Sequence, residues 1–370
     1  MELRTGTAIM NIPHLRKGGR LLAGYMQAYV NNKLGIVGPM QRLAISVTGR
    51  CNSRCITCNI WRTRPDTARE IGLEEIGMIT HSRLYRRTGS VVVTGGEPFL
   101  RSDLADIMEM LSSNSGAEIS VVTNGLLPGR IFSLVEETRR RGARIDKVAL
   151  SLNGKPETHD LTRGIKGGYD RLIESARGLK RLGVLASFIY TITVENHEQL
   201  QWAYELAEEL GMDINFYPET TSYRFDNTGS RRGLLDEQKL EVLRAMKAVF
   251  SRRKFYYFDD STLYFVERMF RGEQVSRCYA GLQSAYIDWR GEVFPCEAIS
   301  DGRLSMGNIK RKALDEIWTS PEARRTRVHV MKGKCQPCYL ACEVLGSLRK
   351  EPVKVLKYAL KRRIIGGNHG

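Results

Sequence analysis

Short apolar segments rich in β-branched residues alternate along the chain with amphipathic segments. The apolar segments between residues 41 and 220 are RLAISV, SVVVT, EISVVT, DKVALSL, SFIYTITV and DINFYP. Between them lie stretches such as LADIMEMLSS, DRLIESARGLKRLG and LQWAYELAEELG, whose apolar residues recur at helical spacing. This alternation is typical of a parallel sheet built from repeated β-α units. We therefore predict an α/β fold with about six such units.

Polar residues and glycines cluster where the predicted strands end. The first strand leads into a cysteine-rich loop, and the next four end in TGGEP, TNG, SLNG and TVEN. The residues concerned are Thr94, Gly95, Gly96, Glu97, Asn124, Ser151, Asn153 and Thr193. Each group alone is typical of a turn. Because the carboxyl ends of parallel strands meet at one edge of a sheet, the five ends together predict a single site.

Composition and charge narrow the classes of protein to consider. The 370 residues have 42% hydrophobic and 26% charged content, which is ordinary for a globular protein. The start of the chain lacks the apolar core of a signal peptide, and no stretch has the length of a transmembrane helix, so we expect a cytoplasmic protein. The net charge of +16 comes without a recognisable RNA-binding motif. We expect no nucleic-acid partner and instead an anionic small substrate, a lipid head group or a membrane surface.

Eight cysteines in a reducing compartment are better metal ligands than disulfide partners. Residues 51–58 read CNSRCITC, which places three thiols at C-x3-C-x2-C spacing directly after the first strand. Three thiolates on a four-iron cluster leave one iron open to a chelating small molecule. The alternative is a structural zinc site completed by a distant histidine such as His81, although this stretch lacks paired C-x2-C knuckles.

The C-x3-C-x2-C loop after strand one, followed by GGEP after strand two, resembles the radical S-adenosylmethionine (SAM) enzymes. The resemblance implies a partial (β/α)6 barrel in which Cys51, Cys55 and Cys58 hold a [4Fe–4S] cluster, whose open iron binds the amino and carboxylate groups of SAM. It places Gly95, Gly96 and Glu97 beside the methionine amino group. It also implies that Ser151 and Asn153 lie near the ribose and that Arg163, in HDLTRG, contacts the SAM carboxylate.

The implied reaction is reductive cleavage of SAM to a 5′-deoxyadenosyl radical that removes hydrogen from an unactivated carbon. An electron donor such as flavodoxin or ferredoxin would supply the electron. Glu219, just past strand six, and Tyr190, within strand five, are candidate substrate-facing catalytic groups. The alternative for either one is an ordinary solvated or core position.

The second half of the chain carries a separate metal signal. The run from Cys278 to Cys296 has C-x12-G-x4-C spacing, with Gly291 at the turn of a predicted hairpin. It resembles the SPASM/twitch extension that binds auxiliary iron–sulfur clusters. KCQPCYLAC adds Cys335, Cys338 and Cys342. Five cysteines are consistent with one auxiliary [4Fe–4S] cluster and one remaining thiol, while a zinc knuckle at the C-x2-C is the alternative.

These signals divide the chain into five expected regions. They are an N-terminal amphipathic segment 1–40, the barrel 41–220, a helical bridge 221–275, the auxiliary domain 276–345 and a basic amphipathic tail 346–370. Because only about 40 residues precede the barrel, we expect no complete leader-peptide-binding domain there, which disfavours a peptide substrate.

Three function classes follow. The first is hydrogen abstraction from a small-molecule or lipid-linked substrate. The second is maturation of a ribosomally made peptide, and the third is a non-catalytic iron–sulfur or zinc binding protein.

Both ends of the chain contain apolar residues at helical spacing. At the N-terminal end these are Leu22, Tyr25, Met26 and Tyr29, and in the tail they are Val353, Leu356, Leu360 and Ile364, beside Lys354, Lys357, Lys361, Arg362 and Arg363. A basic amphipathic helix can lie on an anionic membrane, which gives the hypothesis of peripheral membrane contact. The alternative is that both helices dock on their own protein.

Overall fold

The structure is a computed structural model that describes residues 38–63, 65–227, 233–252, 257–300, 302–335 and 340–366. The side chains of residues 257–258 and 363–366 are outside this description. Cys338, the N-terminal positions Leu22, Tyr25, Met26 and Tyr29, and the side chains of Arg363 and Ile364 therefore lie outside it as well.

The six predicted strands form one continuous parallel array. They are β1 (Arg42–Ser46), β2 (Ser90–Thr94), β3 (Glu118–Thr123), β4 (Lys147–Leu152), β5 (Leu185–Ile192) and β6 (Asp213–Pro218). Each strand pairs in parallel with the next, from β1 with β2 to β5 with β6. The sheet is open, so the predicted α/β partial barrel is confirmed.

Helices connect the strands and continue beyond them. In the described residues they are α1 (Leu73–Thr80), α2 (Arg83–Arg86), α3 (Leu104–Ser113), α4 (Pro128–Arg140), α5 (Pro156–Arg163), α6 (Gly168–Arg181), α7 (Leu200–Leu210), α8 (Asp236–Ser251), α9 (Tyr257–Phe270), α10 (Leu314–Thr319), α11 (Pro321–Met331), α12 (Ala341–Leu348) and α13 (Pro352–Gly366). α6 shows why such segments are helical: Leu172, Ala176 and Leu179 recur at helical spacing and are all buried.

The predicted hairpin in the second half is present, but it has a partner that the sequence did not suggest. β7 (Ser284–Ile287) and β8 (Glu292–Phe294) pair antiparallel, and Gly291 forms the turn at φ +89°. β7 also pairs in parallel with β1, so the hairpin continues the barrel sheet past its first strand. A short strand, β9 (Gly307–Asn308), completes the order β6-β5-β4-β3-β2-β1-β7-β8-β9. The boundaries of the five expected regions stay a prediction.

The two faces of the sheet differ in what they bury. Alternate strand residues such as Leu43, Val93 and Leu150 are fully buried in the large apolar core beneath the helices. On the opposite face Ala44, Tyr286 and Phe294 form a small separate cluster. The same face of β3 to β6 is only half-buried near the carboxyl ends, at Val122, Ser151, Ile189, Thr191, Asn215 and Tyr217. That face is therefore accessible beside the edge where the predicted site lies.

Candidate functional site

The three cysteines of residues 51–58 lie close together in a loop after β1. The Ser53 amide donates to Cys51 Sγ at 3.4 Å, and the Ser53 hydroxyl lies 3.2 Å from Cys55 Sγ. The Cys58 amide donates to the carbonyl oxygen of Cys55 at 3.3 Å. All three thiols are half-buried and none is in a disulfide. The loop thus presents three thiols on one short segment.

Burial makes the thiols of Cys51 and Cys58 harder to ionise. It raises the pKa of Cys51 to about 12 and the pKa of Cys58 to about 11. Arg224 and Arg163 oppose the shift of the Cys58 pKa. Because metal ligation requires the thiolate, a bound metal cation would stabilise the form that burial alone disfavours.

His81 does not complete a metal site with this loop. Its ring is exposed, and its Nδ1 donates to the Gly77 carbonyl oxygen at 2.7 Å, at the carboxyl end of α1. The residue therefore caps its own helix, and the zinc alternative loses the histidine suggested for it.

The two glycines of the GGEP segment after β2 bring that segment against the cysteine loop. The Gly96 amide donates to the Thr48 carbonyl at 2.8 Å, and the Glu97 amide donates to the Arg50 carbonyl at 2.7 Å. A β-carbon on Gly96 would lie 2.1 Å from the Arg50 oxygen, and Gly95 has φ +153°. Only glycine allows an approach this close. The two glycines thus let the GGEP loop pack directly against the segment that leads into Cys51.

Glu97 is fully buried and ties the GGEP loop to the end of β3. Its carboxylate accepts from the Thr123 hydroxyl at 2.8 Å, the Asn124 amide at 2.7 Å and the Phe99 amide at 3.1 Å. Burial raises the pKa of the carboxyl to about 6, although these hydrogen bonds oppose the shift. The Asn124 side chain in turn donates to Asn52 Oδ1 in the cysteine loop at 2.7 Å.

Arg163, the last residue of α5, lies beside the thiols. Its NH1 group donates to Cys55 Sγ at 3.4 Å, and its NH2 group donates to the Ser151 carbonyl at 3.0 Å. Its own carbonyl accepts from the Arg54 amide at 2.9 Å. One arginine thus links the end of β4 to the cysteine loop.

The ends of β4, β5 and α5 present buried polar atoms that have no partner among the described residues. These atoms include Asn153 Oδ1, Thr193 Oγ1 and Arg163 Nε. The backbones that carry them are fixed, because Asn196 accepts from the Thr193 amide at 2.7 Å and donates to the Asn153 carbonyl at 3.1 Å. Buried polar groups normally have partners, so unpaired ones on one edge fit a polar ligand.

The two candidate catalytic residues occupy different environments. Glu219 directly follows β6 and is half-buried, and its amide donates to the Ile192 carbonyl at 2.8 Å. Tyr190 lies on the helix-facing side of β5, fully buried against Phe216. Its hydroxyl donates to the Asn196 carbonyl at 2.9 Å. This placement does not fit the expected substrate-facing role, because strand alternation turns the residue into the core.

Arg224 is a site residue that the sequence analysis missed. It lies in the segment after β6, and its NH2 group donates to Thr94 Oγ1 at 2.7 Å and to the Gly95 carbonyl at 3.2 Å. Its NH1 group pairs with Glu297. Burial would lower the pKa of Arg224, but the combined attraction to Glu297, Tyr286 and Cys58 outweighs burial and raises the pKa above its ordinary value. A lone arginine in an irregular segment carries no motif that could have identified it.

Three described cysteines of the second half converge from separate segments. Cys278, Cys296 and Cys335 belong to one cluster with Ala280 and Val330. Cys342, in the first turn of α12, is half-buried and close enough to Arg42 to affect its ionisation. The structure thus brings together ligand candidates that are far apart in the sequence.

The residues present fit the cofactors that the sequence suggested. Three thiols on one loop leave a metal coordination position open. The unpaired N–H of Arg163 suits a carboxylate, and the unpaired oxygens of Asn153 and Thr193 suit an amine or hydroxyls. Together, the open α/β sheet and this edge define a barrel-type enzyme that binds an open metal centre and a polar small molecule.

Sequence profiles agree with this class. Residues 45–207 match the Radical SAM superfamily, and residues 278–343 match the SPASM iron-sulfur cluster-binding domain. The chain therefore contains a radical SAM domain and a SPASM domain. It is an enzyme whose cofactors are SAM and a [4Fe–4S] cluster, with auxiliary iron–sulfur in the SPASM domain. The alternatives of zinc at the cysteine loop and of a non-catalytic protein are wrong.

Two curated relatives extend over most of the chain. Pre-heme d1 synthase of Dinoroseobacter shibae is 26% identical over 328 residues, covering 79% of this chain and 78% of its own. AdoMet-dependent heme synthase of Methanosarcina barkeri is 24% identical over 318 residues, covering 80% and 87%. The solved structure of native anSMEcpe with bound AdoMet has a TM-score of 0.62 at 18% identity, covering 89% of this chain and 100% of that one. This last similarity supports the fold.

Proposed function

We propose that the protein reductively cleaves SAM and abstracts hydrogen from a small-molecule or lipid-linked, anionic substrate. The observation that carries this proposal is the single edge where three thiols, Arg163 and the unpaired atoms of Asn153 and Thr193 lie together. When bound, the cluster and SAM supply a 5′-deoxyadenosyl radical. The protein supplies the binding groups and excludes water from them.

Each group on this edge has a proposed task. Cys51, Cys55 and Cys58 hold the cluster. Arg163 pairs with the SAM carboxylate, while Thr94, Gly95, Gly96 and Glu97 shape the loop beside the methionine amino group. Asn124, Ser151, Asn153 and Thr193 line the remainder of the cofactor site. Because Glu97 already accepts three hydrogen bonds from the protein, its role is to fix that loop.

The substrate is proposed to bind on the accessible face of the sheet. Ser151, Thr191 and Asn215 are half-buried there, next to the cofactor edge, and Glu219 lies at the same end of β6. The two relatives above are named for heme and pre-heme d1 synthesis, which favours a small molecule over a peptide. The charge of +16 favours an anion. Peptide maturation is the alternative function.

The cysteines of the SPASM domain are proposed to hold one auxiliary [4Fe–4S] cluster that assists substrate binding or electron transfer. Cys278, Cys296, Cys335, Cys338 and Cys342 supply the four ligands and one remaining thiol. A small electron-transfer protein such as flavodoxin or ferredoxin would reduce the radical cluster.

The direct test is SAM cleavage. Anaerobically reconstituted, dithionite-reduced protein is expected to convert SAM to 5′-deoxyadenosine and methionine. The triple variant Cys51→Ala/Cys55→Ala/Cys58→Ala is expected to form none, and its circular dichroism is expected to stay close to wild type because the loop lies outside the apolar core. Formation of 5′-deoxyadenosine by the triple variant would overturn the assignment.

Contact with an anionic membrane is a second proposal, and the tail helix supports it in an altered form. α13 docks through Val355, Ala359 and Arg362, and Arg362 pairs with Asp260 at 2.5 Å. This docked face of α13 is not the apolar stripe that the sequence predicted.

The predicted stripe remains in solvent, with Val353, Leu356 and Leu360 60%, 45% and 61% exposed. Lys354, Lys357 and Lys361 are also exposed. An apolar stripe bordered by lysines suits an anionic lipid surface, where each lysine contributes about 1 kcal/mol.

No described helix is both long and apolar enough to cross a bilayer. Vesicle sedimentation tests surface contact. The protein is expected to sediment with vesicles that contain phosphatidylglycerol but not with pure phosphatidylcholine, and less so at high salt. Val353→Ser/Leu356→Ser/Leu360→Ser leaves the docking face intact and is expected to reduce binding. Equal recovery of variant and wild type in the supernatant would exclude membrane contact.

A further inference from the structure

Four charged side chains form a continuous chain of ion pairs beside β1 and β7, on the face of the sheet opposite the large apolar core. Arg42 lies at the start of β1, and its NH1 and NH2 groups lie 3.2 Å from Glu343 and 3.5 Å from Glu297. Glu297 also pairs with Arg224. Glu343 accepts a further hydrogen bond from the Ser284 hydroxyl at 2.6 Å. We call this the Glu343–Arg42–Glu297–Arg224 chain.

The two carboxylates of this chain belong to the auxiliary region. Glu297 directly follows Cys296, and Glu343 directly follows Cys342, both of which are proposed auxiliary ligands. The side chains of Glu297 and Glu343 are 8% and 3% exposed. A movement of either cysteine segment would therefore move a buried charge away from its partners.

The other end of the chain holds the proposed SAM site. Arg224 donates to Thr94 Oγ1 and to the Gly95 carbonyl, in the loop whose next residues bond to the cysteine loop. The Arg224 side chain is 11% exposed, and its guanidinium also lies over the Tyr286 ring at 5.7 Å. This arginine thus has contacts with the GGEP loop, with β7 and with the residue after Cys296.

A buried chain of this kind resists separate movement of its ends. Breaking a buried charge pair by shifting one partner leaves an uncompensated charge in a region of low dielectric constant, which is strongly unfavourable. The arrangement of Arg224 is therefore linked to that of Glu297. The GGEP loop and the auxiliary cysteines share this link, although they come from different parts of the sequence.

We propose that the Glu343–Arg42–Glu297–Arg224 chain couples SAM binding to occupancy of the auxiliary site, with Arg224 as the positioning residue. When the auxiliary site is ordered, it holds the Glu297 side chain in place. Glu297 then holds Arg224, and Arg224 holds the GGEP loop in the conformation that binds SAM. By thermodynamic linkage, bound SAM stabilises the auxiliary site by the same factor. This proposal rests on the proposed function, in which this edge binds SAM.

The test is a cycle of SAM dissociation constants, measured anaerobically by calorimetry on protein whose iron content is known. Arg224→Gln is expected to weaken SAM binding about tenfold, within the usual range of site-to-site coupling. Cys278→Ala/Cys335→Ala removes auxiliary ligands that are not adjacent to either carboxylate, and it is expected to weaken SAM binding by a similar factor. Because both changes break the same link, the combined variant is expected to bind no more weakly than the worse of the two.

The effect of SAM on the auxiliary site gives a second measurement. It follows the rate at which auxiliary iron is lost and does not require a SAM dissociation constant. In wild type, SAM is expected to slow removal of auxiliary iron by a chelator, and in Arg224→Gln this protection is expected to disappear. Arg141→Gln is the matched control. Arg141 pairs with Asp106, Glu109 and Glu137 on an exposed surface of α3 and α4, and its loss is expected to change neither quantity.

If Arg224→Gln does not fold, Arg224→Gln/Glu297→Gln removes both buried charges together, and it is expected to fold and still to lack SAM protection of the auxiliary iron. Additive effects in the cycle, or protection that persists without Arg224, would overturn the coupling alone. A wild type that binds and cleaves no SAM would overturn the proposed function and the coupling with it.

Discussion

The two cysteine regions of this protein position their thiols in different ways. Cys51, Cys55 and Cys58 lie in one short loop, which is held by backbone hydrogen bonds from the GGEP loop and by the Arg163 side chain and carbonyl. Cys278, Cys296 and Cys335 come from three separate segments that meet in a small apolar cluster. Buried charges on Glu297 and Glu343 fix the neighbouring backbone. The first site depends on local geometry, and the second depends on the assembled fold.

This difference has a physical origin. A loop of eight residues can bring three thiols together at a small cost in chain entropy. Segments far apart in the sequence need the energy of the folded core to meet, and charge pairs then select one arrangement among several that apolar packing would allow. A local site should therefore respond to changes in nearby backbone, and an assembled site should respond to changes in distant contacts.

Removal of the cysteine ligands should have the largest effect, and it should show separately how much iron each region binds. Wild type is expected to bind about eight irons, and the triple alanine variant of Cys51, Cys55 and Cys58 should retain about four, because each region holds its own cluster. Replacement of Cys278 and Cys296 should remove the other four while SAM is still cleaved at saturating concentration. Iron analysis with zinc determination checks both. Wild type with four irons and zinc in the SPASM domain would contradict the two-cluster assignment.

Glycine substitutions should have a smaller effect than removal of the ligands, and they should distinguish the local site from the assembled site. A methyl group at Gly96 would meet the Arg50 oxygen at 2.1 Å and Cys51 Cβ at 3.0 Å. Gly96→Ala should therefore displace the cysteine loop, lower radical-cluster iron and reduce SAM cleavage at least tenfold, a loss of about 1.4 kcal/mol or more in transition-state stabilisation.

Gly291→Ala is the matched change in the second region. Gly291 has φ +89°, so alanine there strains the hairpin backbone by about 1–2 kcal/mol. The atoms nearest to an added β-carbon lie at 3.0 Å or more, and none of them belongs to a cysteine segment. We expect a lower melting temperature with SAM cleavage retained. Equal loss of cleavage in the two glycine variants would show that the cysteine loop does not depend on local packing.

The smallest expected effect is a change in the free energy of unfolding with pH. It comes from a histidine beside the proposed SAM site. His159 is fully buried, and its Nδ1 accepts from the Asn153 amide at 3.2 Å. Burial, and to a smaller extent Arg163, lowers the pKa of His159 to about 3 from the ordinary 6.5. Below pH 6.5 the unfolded chain gains a proton that the folded protein excludes, so stability falls as pH falls from 6.5 towards 3. At pH 5.5 this costs about 1.4 kcal/mol.

Urea unfolding of the metal-free protein at pH 7.5 and pH 5.5 measures this loss. His159→Asn keeps an acceptor for the Asn153 amide and should remove about 1.4 kcal/mol of the difference between the two pH values. His81→Asn, at an exposed histidine, should leave the difference unchanged. The same pH dependence in all three proteins would exclude His159 as its source.

Periodicity and spacing in the sequence determined the strands, their parallel order and the cysteine loop. Those features depend on residues close together in the chain, where alternation of apolar positions and the reach of a short loop leave few arrangements. Arg163 was a candidate from the sequence only because its segment, HDLTRG, resembles one known in the family, and its contact with SAM stays a prediction. Tyr190 shows the limit of such inference, since its position in a strand was visible but the face it occupies was not.

Only the tertiary structure decided how the two halves meet. The pairing of β7 with β1 joins residues more than two hundred positions apart, and no local pattern indicates which free edge a hairpin will extend. Arg42, Arg224, Glu297 and Glu343 each look like ordinary surface charges in the sequence. They become partners because the fold buries them together, and burial makes it costly for any of them to lack an opposite charge.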